Sequence, residues 1–140
     1  MTAVIDTSAF VALFTLNDDE LDPRLTARLA QITIPHEPDI ADVEFHQALR
    51  GLLLGGKIKQ GRADLARQLF AQTPKKRVPT HSLTDRVWEL RHNLGAYDAC
   101  FVALAEALGA PLITCDDKQR NASGHQAAVE VYDPADWRAL

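Results

Sequence analysis

Strand-like and helix-like apolar segments alternate along this chain from end to end, and that alternation restricts it to α/β folds built on a central, mostly parallel sheet. Residues 3 to 6 read as a first strand and 8 to 16 as a helix. "DPRLTARLAQI" reads as a second helix, with Asp22 as its cap and Pro23 at the first helical position. Pro35 and Pro38 then read as an interruption. A longer helix is expected from about Asp39 to Leu54, stopped by Gly55 and Gly56, and another from about Gln60 to Gln72. "KKRVPTH" has room for one short strand. Ser82 or Thr84 opens a helix that ends near Gly95, and "YDACFVALAEAL" forms a further helix with Gly109 as its stop. "APLITCD" reads as a buried strand and "VEVYD" as an edge strand.

The 140 residues, 46% of them hydrophobic, suffice for one substantial core, so a single domain over residues 1–140 is expected. No stretch approaches the roughly 20 uninterrupted apolar residues of a membrane span, and no basic region leads into an apolar leader. These features predict a soluble cytoplasmic protein with no membrane partner. Cys100 and Cys115 are not a C-x-x-C pair and make no disulfide framework; both read as small core residues in a reducing compartment. A formal charge of −4 argues against a broad basic surface. Basic residues nevertheless gather at Lys57, Lys59 and Arg62 and again at Lys75, Lys76 and Arg77, runs that ordinarily mean a solvated helix end or loop.

Four of the 19 acidic residues stand where a charge is out of place. Asp6 ends the apolar run "AVI", with Thr7 and Ser8 directly behind it, and Asp116 follows "LIT". Helix capping accounts for Ser8, and either Asp taken singly is an ordinary turn residue. Together they place two carboxylates at the C-terminal ends of two candidate strands, the edge at which open parallel sheets bind ligands. Glu44 lies four residues after Ile40 and four before Ala48, which aligns it with an apolar line of its helix and points it toward the core side. Asp98 begins an apolar face continued by Phe101, Val102 and Ala105. Carboxylates converging on one sheet edge repel one another unless a cation neutralises them. All-oxygen ligands favour Mg²⁺ or Mn²⁺, which can activate a bound water and stabilise charge on a phosphoryl oxygen. Phosphodiester hydrolysis is the natural reaction of such a site.

With "VIDTSAFVALF" at the start, Glu44 in a mid-chain helix, "YDACFVALAEALGAPLITCDD" near the end and the terminal "VEVYDP", the chain resembles the PIN-domain ribonucleases, and more closely the VapC toxins of bacterial toxin-antitoxin pairs. The resemblance covers nearly the whole chain. It implies a three-layer α/β/α PIN-like domain and an endoribonuclease dependent on Mg²⁺ or Mn²⁺ that cuts structured RNA such as tRNA or rRNA. It also implies a VapB-like antitoxin and a homodimer. Carried over by position, Asp6, Glu44, Asp98 and Asp116 form the catalytic cluster, with Ser8 and Thr114 as hydroxyls near the metal or its waters. Asp6, Asp98 and Asp116 are assigned as metal ligands, and Glu44 is left to orient or deprotonate the attacking water. Asp117 lies beside Asp116 and could take its place, and Lys118 or Arg120 could contact a phosphate.

Other chemistries find little support. His36, His46, His81, His92 and His125 are dispersed without metal-ligand spacing, Ser8 lacks a G-x-S-x-G setting, and no Gly-rich phosphate loop exists. Two rival readings are a metal-dependent DNA nuclease and a non-catalytic RNA- or protein-binding module. The apolar segments 9–16 and 52–54 either cover a core or form a dimer face and a groove for an antitoxin helix.

Overall fold

The structure, a computed structural model, describes residues 1–133. The last seven residues of the expected domain, and with them Pro134 of the terminal motif, lie outside the described residues. Five strands, β1 (Thr2–Ile5), β2 (Ile34–Pro38), β3 (Lys76–Val78), β4 (Leu112–Thr114) and β5 (Val129–Val131), form one wholly parallel sheet in the order β3-β2-β1-β4-β5. Their connections carry helices α1 (Thr7–Thr15), α2 (Pro23–Leu29), α3 (Ala41–Leu54), α4 (Gln60–Gln72), α5 (Thr84–Glu89), α6 (Ala96–Leu108) and α7 (Lys118–Asn121).

Side chains alternate across a strand, and β1 shows how that builds three layers. Ala3 and Ile5 enter one core with Ile113, Phe10 of α1, Phe45 of α3 and Phe70 of α4; Val4 enters the opposite core with Leu112, Leu90, Phe101 and Leu104. Because both faces are covered, the strands read as continuous apolar runs. Phe45 is fully buried and stacks on Phe70 with ring centroids 3.9 Å apart. Burial of such a ring contributes about 1.5–3 kcal/mol. Among the described residues no helix is long and apolar enough to cross a membrane.

The two prolines read as an interruption lie inside strand β2. Pro35 precedes His36, the first β2 residue paired with β3, and Pro38 is the last residue of the strand, so neither missing N–H breaks a ladder that has neighbours on both sides. The helix expected to run to Gly95 also divides. Thr80–Leu83 is a 3-10 turn, α5 ends at Glu89, and tight turns after it return Leu90 and Leu94 to the core. The stop at Gly109 stands: it closes α6 at φ +59°, a left-handed conformation that suits a residue without Cβ.

Helix α7 has no counterpart in the sequence pattern, and it buries a polar side chain. Gln119 is fully buried, and among the described residues neither its amide oxygen nor its amide nitrogen has a hydrogen-bond partner. An unmet buried polar group costs about 1–3 kcal/mol. Gln119→Leu is therefore expected to raise the urea midpoint, by about 1–3 kcal/mol in unfolding free energy. A lowered midpoint would show that the amide is satisfied in solution.

Candidate active site

The strand order reverses at β1: the chain adds β2 and β3 on one side and then crosses to add β4 on the other. Such a switch point opens a crevice at the C-terminal strand ends, and Asp6 and Asp116 stand there, just past β1 and β4. Asp98 comes from the first turn of α6 and Glu44 from the first turn of α3, where the helix dipoles favour negative charge. All four carboxylates line one cavity of about 500 Å³. Val11, Ala48 and Leu52 form apolar parts of its wall.

Asp6 is 6% exposed and is tied down by hydroxyls. Its Oδ2 accepts hydrogen bonds from Ser8 Oγ at 2.6 Å and from Thr114 Oγ1 at 2.8 Å. Those hydroxyls accept in turn from backbone N–H groups, Ser8 from Cys115 and Thr114 from Asp116, each at 3.0 Å. The ends of β1 and β4 are thereby knitted together through Asp6. Ser8 does not begin the helix: α1 starts at Thr7 with Asp6 at the N-cap position, and no side chain caps it. The hydroxyl expected at a helix start is given to the carboxylate instead.

Glu44 requires a correction to the helical pattern. Ala41, Phe45 and Leu49 face the core, while Glu44 and Ala48 stand one residue off that line and face the cavity. Glu44 is held by Thr7, whose Oγ1 donates to Oε1 at 3.3 Å. Thr7 was missed as a site residue; its only sequence signal is its place between Asp6 and Ser8. Asp117 is exposed and does not line the cavity, whereas Asp116 does. Lys118 Nζ lies 3.8 Å from Asp116 Oδ2. His46 is exposed, with Nδ1 against the Asp42 carbonyl. Cys100 is buried and Cys115 half-buried on the cavity wall; burial pushes the Cys115 thiol up to about 12, so it stays protonated.

The charges are poorly compensated. Burial, then the Asp6 charge, pushes the Glu44 carboxyl up to about 7, with Asp98 adding to the rise and Thr7 opposing it. Asp98 is raised by burial, then by Asp6 and Asp116. Among the described residues nothing donates a hydrogen bond to the Asp98 carboxylate, and no three acidic, His or Cys side chains close into a compact metal-binding group. The donor set is open, all oxygen and short of positive charge; Asp6, Asp98 and Asp116 could hold a cation that keeps much of its water.

A pH dependence follows for the metal-free protein. The unfolded chain releases the Glu44 proton near 4.5 and the folded protein near 7, so the folded state binds more protons between them. The stabilisation is complete below about 4.5 and is lost as pH rises through about 7. Glu44→Gln removes this term. The melting temperature of the variant minus that of the parent, measured in chelator, should climb between pH 4.5 and 7.5. A flat difference would mean that Glu44 titrates normally.

The PIN-domain family model matches residues 3–124. The chain is 34% identical over 128 residues to Ribonuclease VapC9 of Mycobacterium tuberculosis, covering 91% of this chain and 96% of that protein. It is 38% identical over 105 residues to Ribonuclease VapC1 of the same organism, covering 74% and 78% of the two chains. In fold it matches a chain in the crystal structure of VapBC2 from Rickettsia felis bound to a DNA fragment from their promoter. The TM-score there is 0.66 at 17% identity, over 95% of this chain and all of that one.

Proposed function

Because the chain belongs to the PIN-domain family and groups within it with the VapC ribonucleases, we propose that it is an endoribonuclease toxin of a toxin-antitoxin pair. It hydrolyses phosphodiester bonds in structured RNA such as tRNA or rRNA at the four-carboxylate cavity. The observation that carries this reading is the convergence of Asp6, Glu44, Asp98 and Asp116 from four separate elements on one cavity at the switch point of the sheet. Asp6, Asp98 and Asp116 would hold Mg²⁺ or Mn²⁺, which when bound supplies Lewis acidity toward water and the phosphoryl oxygens.

The chain's own residues divide the remaining work. Ser8 and Thr114 fix the orientation of Asp6 by donating to Oδ2. Thr7 donates to Oε1 of Glu44, and Oε2, which accepts no hydrogen bond among the described residues, is the atom that takes a proton from the attacking water. Burial, the largest cause of the raised Glu44 carboxyl in the metal-free site, favours it as a proton acceptor. The partners of this reading are the RNA, a VapB-like antitoxin and a second copy of the chain, for which the exposed Val43 and Tyr97 offer apolar surface.

The test is cleavage of total RNA by purified protein with Mg²⁺, with Mn²⁺ and with chelator, beside DNA of matched length. Discrete cuts in RNA that need the divalent ion are expected. Divalent ion should also raise the melting temperature, more at pH 7.5 than at pH 5, because ionised carboxylates bind it better. Neither cleavage nor a divalent-dependent rise would leave a non-catalytic binding module.

A further inference from the structure

We propose that the RNA strand leaves the cleavage site along one particular trough and that Lys57 and Lys59 hold its phosphates; this inference rests on the ribonuclease reading. The acidic cavity does not end at its carboxylates. Thr15, Leu16 and Leu52 line it and also line a second, larger cavity of about 920 Å³, so the two are one continuous depression. The far part is walled by the turn between α3 and α4, where Gly56 at φ +72° reverses the chain and presents Lys57 and Lys59.

The two lysines are exposed, and among the described residues neither side chain has an ion pair or a hydrogen-bond partner. The third basic group of the trough is committed elsewhere. Arg62 donates to Asn17 Oδ1 at 3.0 Å and to the Thr15 and Leu16 carbonyls, bracing the end of α1. Glu20, the one acidic side chain on this part of the wall, accepts from the Asn17 N–H at 3.1 Å. Lys57, Lys59 and Arg62 against Glu20 make this part of the wall net positive, whereas the other end of the depression is acidic and could not attract phosphate without a cation. Beyond Lys118, which pairs with Asp116 at 3.8 Å, a polyanion anchored at the acidic end finds complementary charge along this depression by running toward Lys57 and Lys59.

The two lysines act on binding and not on bond breaking, so Lys57→Ser/Lys59→Ser should raise KM roughly tenfold and leave kcat unchanged at moderate salt. Binding of a mixed-sequence single-stranded RNA oligonucleotide at a fixed concentration of Ca²⁺ in place of Mg²⁺ provides a readout apart from activity. The slope of log affinity against log salt should fall in magnitude by about 1.4, the expectation for two lost contacts to a single strand. Both lysines are exposed, so circular dichroism should match the parent. If the parent cleaves RNA while the variant keeps its KM and salt slope, the inference is overturned and the trough is left for a protein segment. If the parent neither binds nor cleaves RNA, the ribonuclease reading itself fails.

Discussion

Asp6→Asn should reduce RNA cleavage on the order of 10³-fold while leaving the protein folded, the scale of removing one group that stabilises charge in the transition state. The amide has the shape of the carboxylate and its oxygen can still accept from Ser8 and Thr114, so the knot between β1 and β4 survives. What disappears is the negative charge. Asp6 is the group that both Glu44 and Asp98 feel most strongly apart from burial, so its neutralisation should also draw the Glu44 carboxyl down from about 7. In chelator the midpoint of the Glu44 titration, followed by carboxyl NMR, should then move to lower pH, a shift that mere misfolding would not produce. Titration of Mn²⁺ binding beside the cleavage assay separates the two roles. Full activity in the variant would remove Asp6 from the site and with it the mechanism proposed here.

Lys75→Met should cost about 3–5 kcal/mol of stability near pH 8, the price of leaving a buried charge without its partner. Lys75 and Glu37 face each other at 3.9 Å with both side chains only 1% exposed. The amine donates to the Phe70 carbonyl at 2.9 Å and lies over the Phe70 ring, but neither oxygen of Glu37 accepts a hydrogen bond among the described residues. Burial dominates both groups: it pushes Glu37 up to about 7 against the pull of Lys75, and Lys75 down to about 8 against the pull of Glu37. Without Lys75 the Glu37 carboxyl rises further. The folded variant then holds a proton that the unfolded chain releases near 4.5, so its stability is kept below that pH and falls as pH rises. Urea unfolding at pH 5 and pH 8 should show a small cost at the first and the full cost at the second. Glu37→Leu combined with Lys75→Met removes both charges and should recover most of the loss. An equal cost at both pH values would mean that packing around the lysine stem, and not the charge, is what matters.

The α/β class, the parallel sheet and the residues that end its strands were legible in the sequence because they rest on local rules. A strand buried on both faces must be continuously apolar, so a carboxylate at the end of "AVI" or beyond "LIT" stands out without any coordinates. The helix stop at Gly109 and the chain reversal at Gly56 after α3 follow equally from one residue's backbone freedom. Strand β2 was hidden because a proline's local penalty depends on whether its missing N–H faces a neighbour, which is a property of the assembled sheet. The direction of Glu44 was misjudged for a related reason: a line of spacing four identifies a helix face but not what lies opposite it.

The sequence by itself determined which side chains carry unusual charge and in what kind of fold. Only the tertiary structure decided that Thr7 holds Glu44, that Ser8 serves Asp6 instead of opening a helix, that Asp116 rather than Asp117 lines the cavity, and that Lys57 and Lys59 flank the same depression. Hydrogen bonds and cavities join residues distant along the chain, up to 108 positions apart between Asp6 and Thr114, and no periodicity within a segment encodes those meetings.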